Sequence, residues 1–282
     1  MRVGNASGLQ IAFFTYALLL LAVPVSRIAE ESLGTSGHAT ALVSKATPFA
    51  MFVAAVALIP PFRRAVLRLL VAPIPVRFRS EVAVVSVASA LLKFAFTALL
   101  AFWVWAREGT AGVDERIRID VVRDMEKAFD PAGLVMYLVL VPIIGPIIEE
   151  VIFRGFLYRA LERKWGWIAA MILTSALFGL YHKHFYAAFI SSIVFVCVMR
   201  RTGSLWSAIV VHGFGNLMLW WPLAGQFVFP HWGRASELPT WHFHIACLVF
   251  ALIALPIYIW MSRDRHAAAP TMFLQPNGAL SK

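Results

Sequence analysis

The 282-residue chain is 60% apolar and only 14% charged, with 22 Phe and 10 Trp, whereas a water-soluble domain is roughly half apolar and a quarter charged. Too little polar surface remains for a soluble globule, and so much apolar surface cannot stay solvated in a disordered chain. The net charge of +10 is spread as short Lys/Arg clusters between apolar runs, which argues for membrane loops and against nucleic acid as a partner.

Apolar runs near membrane length fall, in chain order, at Ile11 to Ser26, Pro48 to Pro60, Val82 to Trp105, Leu134 to Tyr158, Trp167 to Tyr181, Phe185 to Met199, Leu205 to Trp221 and Phe243 to Trp260. A helix needs roughly 20 residues to cross the hydrocarbon layer. Several runs are shorter, so the expectation is an all-α polytopic membrane protein of about eight transmembrane helices. The first run has no small-residue cleavage site after it and reads as a retained span, not a signal peptide. Four regions follow: an N-terminal membrane region over residues 1–130, a core over 131–222, an extra-cytoplasmic loop with the last span over 223–262, and a disordered tail over 263–282. Cys197 and Cys247 both lie inside apolar runs, which speaks against a disulfide.

If the runs alternate across the membrane, one set of connections collects Arg63, Arg64, Arg68, Arg77 and Arg79, then Arg159, Arg163 and Lys164, then Arg200 and Arg201, then Arg263 and Arg265. The opposite set includes the stretch from Arg107 to Asp130, which carries seven acidic residues. Positive charge accumulates on the cytoplasmic side, so both termini are expected to be cytoplasmic. The Arg107 to Asp130 stretch mixes charges with Ile117, Ile119, Val121, Val122, Met125 and Phe129, a pattern that fits an amphipathic surface helix in part of it.

Ionisable groups at bilayer depth are costly unless paired or hydrated, so each is a functional candidate. Glu150 and Arg154 stand four apart on one helical face and are expected to form a structural ion pair. Glu149 points about 100° away and has no cation nearby in sequence. A carboxylate in apolar surroundings is a group that enzymes tune to act as a general base. Pro142, Gly145 and Pro146 are expected to break or restart the helix, placing the acidic pair in a first turn with free amide donors. Lys93 reads as a snorkelling residue and Glu81 as the edge of the third run.

His212 and Asn216 also stand four apart, and an imidazole beside an amide can donate two hydrogen bonds to an oxyanion. Gly213 and Gly215 permit close approach by a substrate backbone or a neighbouring helix. His182, four residues after Phe178, supplies a second titratable group able to share a water with Glu149. One carboxylate base, one histidine partner and two donors make a water-activating hydrolytic site.

The ordered motifs EExxxR (Glu149, Glu150, Arg154), FxxxH (Phe178, His182) and HxxxN (His212, Asn216) resemble those of the CPBP intramembrane proteases, the group named for CAAX prenyl endopeptidases and bacteriocin-processing or immunity proteins. The resemblance covers roughly residues 134–221. It implies a CAAX-protease-like helical core in which Glu149 and His182 activate water, His212 and Asn216 stabilise the oxyanion, and Glu150, Arg154 and Phe178 give structural support. The implied activity is that of an endopeptidase of the cell membrane, here a bacterial inner membrane. It would act near the C-terminus or membrane junction of a membrane-associated or lipidated protein, with membrane lipids around it.

No cofactor is favoured. Zinc on Glu149, His182 and His212 is the lesser reading, since Asn216 is a poor zinc ligand and a sensible oxyanion donor. A non-catalytic immunity or regulatory protein of the same fold is the alternative, against which the intact base and oxyanion residues argue. A transporter using Glu149 as proton carrier is a third. One inconsistency stands in this reading. Glu149 and His212 fall roughly 10–14 Å from the cytoplasmic ends of their runs, whereas His182 falls near the opposite end of its own.

Overall fold

The computed structural model describes residues 38–126, 136–182, 184–228 and 241–263, with a few isolated positions nearer the N-terminus. The run expected at Ile11 to Ser26 lies almost wholly outside the described residues, and the tail from residue 264 onward lies outside them. The described residues are nearly all helical, with no strand among them: α1 (His38–Leu58), α2 (Pro60–Leu70), α3 (Arg79–Glu126), α4 (136–158), α5 (Arg159–Tyr181), α6 (Phe185–Thr202), α7 (Leu205–Val228) and α8 (Trp241–Met261). Phe185–Thr202 and Phe243–Met261, with mean hydropathies of 1.4 and 2.2, are long and apolar enough to cross a membrane. The bent pair α1–α2 makes a third only if both arms count as one span. With the composition, these helices make the chain a helical membrane protein.

The run expected at Pro48 to Pro60 is divided between α1 and α2, which meet at 108°. Ile59 is extended (φ −113°, ψ 91°), as sterics favour before a proline, and Pro60 and Pro61 open α2 where amide donors are not needed. Along α2, Phe62, Val66 and Leu69 are buried while Arg63, Arg64 and Arg68 are exposed. The basic cluster assigned to a connection is thus the polar face of an amphipathic helix. α3 holds the Val82 to Trp105 run and bends at Gly109 (φ 72°), beyond which residues 110–126 stay helical. This is where the sequence predicts a surface helix.

α4 does not restart at its prolines. Met136–Ile144 and Val151–Tyr158 are wide π-helical turns on either side of the tighter Gly145–Glu150. Ile144, just before Gly145, keeps helical angles (φ −74°, ψ −45°). The wider turns take in Pro142 without a break, so Glu149 and Glu150 lie in mid-helix and not in a first turn. π turns of this kind often flank functional groups.

The helix also runs on past Tyr158 into α5, through the charged residues taken for a loop, and turns at Gly166. Gly166 has φ 76°, a left-handed conformation that glycine adopts without steric cost. Glu149 precedes this turn by 17 residues and His182 follows it by 16. Both therefore stand roughly 24 Å from it on antiparallel arms. The depth inconsistency of the sequence reading came from ending the fourth run at Tyr158.

The ends expected on the basic side do meet. Arg201 forks onto both oxygens of Glu81, and Arg200 reaches Tyr158 (3.0 Å), Glu162 and the backbone oxygens of Ser262 and Arg263. Trp206 and Ser204 at the start of α7 donate to Leu70 and Ala72 at the end of α2. The central core, including Val151, Ile152, Phe153, Val196, Leu205 and Val211, forms where α4, α6 and α7 pack together. Cys197 and Cys247 are free thiols.

Candidate active site

Two turns of chain and one close helix contact bring the motif residues together. The α4–α5 arms place Phe153 edge-on to Phe178, with centroids 5.0 Å apart, and the same pairing sets His182 opposite Glu149. α6 and α7 reverse at Gly203 (φ 71°), whose amide caps Met199 at 2.8 Å. That reversal stacks Phe195 on His212, centroids 4.6 Å apart. Gly213 closes the third side. A Cβ there would lie 2.4 Å from the Pro142 carbonyl oxygen, so α7 and α4 come this near only because position 213 has no side chain.

Glu150 and Arg154 form the expected pair at 3.0 Å, with both side chains 0% exposed. The guanidinium goes further, donating to Ser192 Oγ (2.7 Å) and the Ser192 carbonyl (3.2 Å), while Ser192 donates to Ser175 (2.9 Å). Its carbon lies 4.5 Å from the centre of the Phe178 ring and 5.1 Å from that of Phe195. The same Glu150 oxygen that takes Arg154 also lies 2.9 Å from His212 Nδ1. An ionised carboxylate only accepts, so His212 carries a proton on Nδ1 and turns Nε2 away from Glu150.

Nε2 of His212 faces Glu149, and so does Nε2 of His182. Each lies 3.7 Å from Glu149 Oε2. His182 Nδ1 is 2.8 Å from the Phe178 carbonyl, which accepts its proton and leaves Nε2 as the lone-pair nitrogen. The FxxxH spacing is thereby explained: residue 178 supplies both the ring packed at 4.3 Å against the imidazole and the carbonyl that sets its tautomer. Glu149 is 19% exposed, His182 31% and His212 6%. Glu149 Oε2 is a buried acceptor with no hydrogen bond, as is Glu150 Oε2 on the far side of the network. A separation of 3.7 Å is too long for a hydrogen bond and is a span that one water bridges.

Asn216, one turn beyond His212, donates from Nδ2 to the Val141 carbonyl (3.1 Å) and accepts on Oδ1 from Lys93 Nζ (3.0 Å). Lys93 therefore does not snorkel. It is half-buried and reaches inward from α3 to the site.

Residues 131–218, the part of the chain that holds all of these groups, match the family described as type II CAAX prenyl endopeptidase Rce1-like. This match, with two relatives, supports a likeness to the CPBP family over this part of the chain. It is 30% identical over 112 residues to a Bacillus subtilis (strain 168) protein named "Putative membrane peptidase YdiL", over 37% of this chain and 46% of that one. It is 31% identical over 111 residues to the UPF0177 protein YbdI of Lactococcus lactis subsp. lactis (strain IL1403), over 38% of this chain and 59% of that one. The matched part thus spans about half the length of these relatives. No solved structure matches the chain.

Zinc on Glu149, His182 and His212 can be weighed against this geometry. Zinc bonds of about 2.0–2.1 Å in tetrahedral array set donors roughly 3.3 Å apart, closer than the 3.7 Å found here. Among the described residues no group of three or more His, Cys, Asp and Glu side chains is arranged to hold a metal ion. Two contributors to the site were not assigned from sequence. Lys93 had a signal, being a lone cation inside an apolar run, and was given to the interface instead. Phe195 had none, because a phenylalanine in an apolar helix says nothing about what it stacks on.

Proposed function

We propose that this protein is an intramembrane endopeptidase that hydrolyses a peptide bond near the C-terminus or membrane junction of a membrane-associated or lipidated protein. The observation that carries the reading is Glu149 Oε2, an unpartnered buried acceptor with the Nε2 atoms of His182 and His212 each 3.7 Å away. Glu149 accepts a proton from a water that His182 Nε2 helps to align, and the resulting hydroxide adds to the substrate carbonyl carbon. The carbonyl oxygen becomes an oxyanion facing His212 and Asn216. When it collapses, the carbon–nitrogen bond breaks and Glu149 passes its proton to the departing amine. With Nδ1–H given to Glu150, His212 donates from Nε2 only as imidazolium, so the neutral donor at the oxyanion is the Asn216 amide.

The similarity to type II CAAX prenyl endopeptidases and to a protein named as a membrane peptidase supports the reaction class. The clustering of Arg and Lys at one end supports both termini lying on the cytoplasmic side of a bacterial inner membrane. The test compares peptides released by membranes carrying the wild type and Glu149→Gln. A product that disappears in the variant supports the reading and identifies the substrate; identical peptide sets would overturn it.

A further inference from the structure

The family match begins at residue 131 and so leaves out α3, yet α3 sends a cation into the site. Ser89 and Lys93 stand four apart on α3 and share a helical face. Both meet α7 at Gly215: a Cβ there would lie 3.4 Å from Lys93 Cε and Nζ and 3.7 Å from Ser89 Oγ. Lys93 thus reaches its place past a residue with no side chain, and donates to Asn216 Oδ1 at 3.0 Å.

Two consequences follow from that hydrogen bond. An amide can be turned end for end with little change of shape, and only its neighbours decide which end is oxygen. Lys93, which can only donate, and the Val141 carbonyl, which can only accept, fix Asn216 with its nitrogen toward α4 and its oxygen toward α3. Charge gives the second consequence. Arg154 balances Glu150, and Lys93, within electrostatic reach of Glu149, offsets the other carboxylate when the amine is protonated. With neutral histidines the four groups then sum to zero, so the negative charge that grows on the substrate oxygen is not added to a site already negative.

We infer that Lys93 is a positioning residue for peptide hydrolysis, holding the Asn216 amide as the oxyanion donor and supplying the cation that balances Glu149. This rests on the hydrolytic reading above. The measurement is the rate of the Glu149-dependent product in Lys93→Met, Lys93→Arg, Asn216→Ala and Lys93→Met/Asn216→Ala membranes, normalised to folded protein. Lys93→Met is expected to lower kcat about ten- to a hundredfold at unchanged KM, the worth of one charged hydrogen bond. Lys93→Arg should restore most of the rate, and the double variant should be slower than Asn216→Ala by less than the loss that Lys93→Met causes alone, because only the charge-balancing role survives without Asn216. Should Lys93→Met fail to accumulate, Lys93→Gln keeps a donor without the charge and is expected to retain an intermediate rate. A Glu149-dependent product formed at the wild-type rate by Lys93→Met or Lys93→Gln would overturn the inference and leave the hydrolytic reading intact. So would an equal further loss in the Asn216→Ala background. Absence of any Glu149-dependent product would instead defeat the hydrolytic reading itself.

Discussion

Glu149 and Glu150 are neighbours in the chain and opposites in the fold. Glu150 is fully buried, with one oxygen between Arg154 and His212. Glu149 is part-exposed and keeps Oε2 unpartnered between two imidazole nitrogens. A rotation of about 100° therefore separates a carboxylate that holds three helices together from one whose unpartnered oxygen faces the site. A buried pair is costly to break, because removing one charge strands the other. An uncommitted carboxylate beside two lone-pair nitrogens holds nothing together that a neutral amide would not.

The same substitution at both positions is the strongest way to break this contrast. Glu150→Gln strands Arg154 in the core and is expected to cost about 3–5 kcal/mol, seen as loss of monodisperse protein in detergent. Glu149→Gln should leave the thermal midpoint unchanged while slowing product release by about 10²- to 10⁴-fold. If both variants unfolded alike, the division of labour would be wrong. Gly213→Ala comes next. Its methyl group has no room beside the Pro142 backbone oxygen, so α4 and α7 must part, at about 1–3 kcal/mol and with reduced activity at full substrate.

Phe195→Leu removes the ring stacked on His212 and beneath Arg154, and should lower stability by about 1 kcal/mol while reducing rate more than it raises KM. A larger effect on KM than on rate would mean that Phe195 meets substrate. The smallest expected effect is none: a strong zinc chelator should leave the Glu149-dependent product unchanged. Loss on chelation and return with zinc would move His182 and His212 from water alignment to metal ligation.

Motif spacing announced which residues would meet, because an i, i+4 pair shares a face whatever surrounds it, as Glu150 and Arg154 do. It misjudged what lay between them. The fourth run was ended at Tyr158 because Arg159, Arg163 and Lys164 look like a loop, yet helix propensity and the exposed position of Arg163 and Lys164 let the helix continue to Gly166. The prolines of α4 were read as breaks because the π turns that absorb them leave no mark in composition. Lys93 was visible as an exception in an apolar run, but only tertiary packing tells a cation reaching inward from one reaching the headgroups. The orientation of His212 toward Glu150 was hidden for the same reason, since tautomers follow from partners and not from sequence.

In the proposed reaction Glu149 activates a water that is incorporated into the product. Membranes carrying the wild-type protein, incubated in heavy-oxygen water, should release a fragment whose new C-terminal carboxylate carries one solvent oxygen, and Glu149→Gln membranes should release none. Release of that fragment at equal rates from both membranes, or a new terminus without solvent oxygen, would contradict the account.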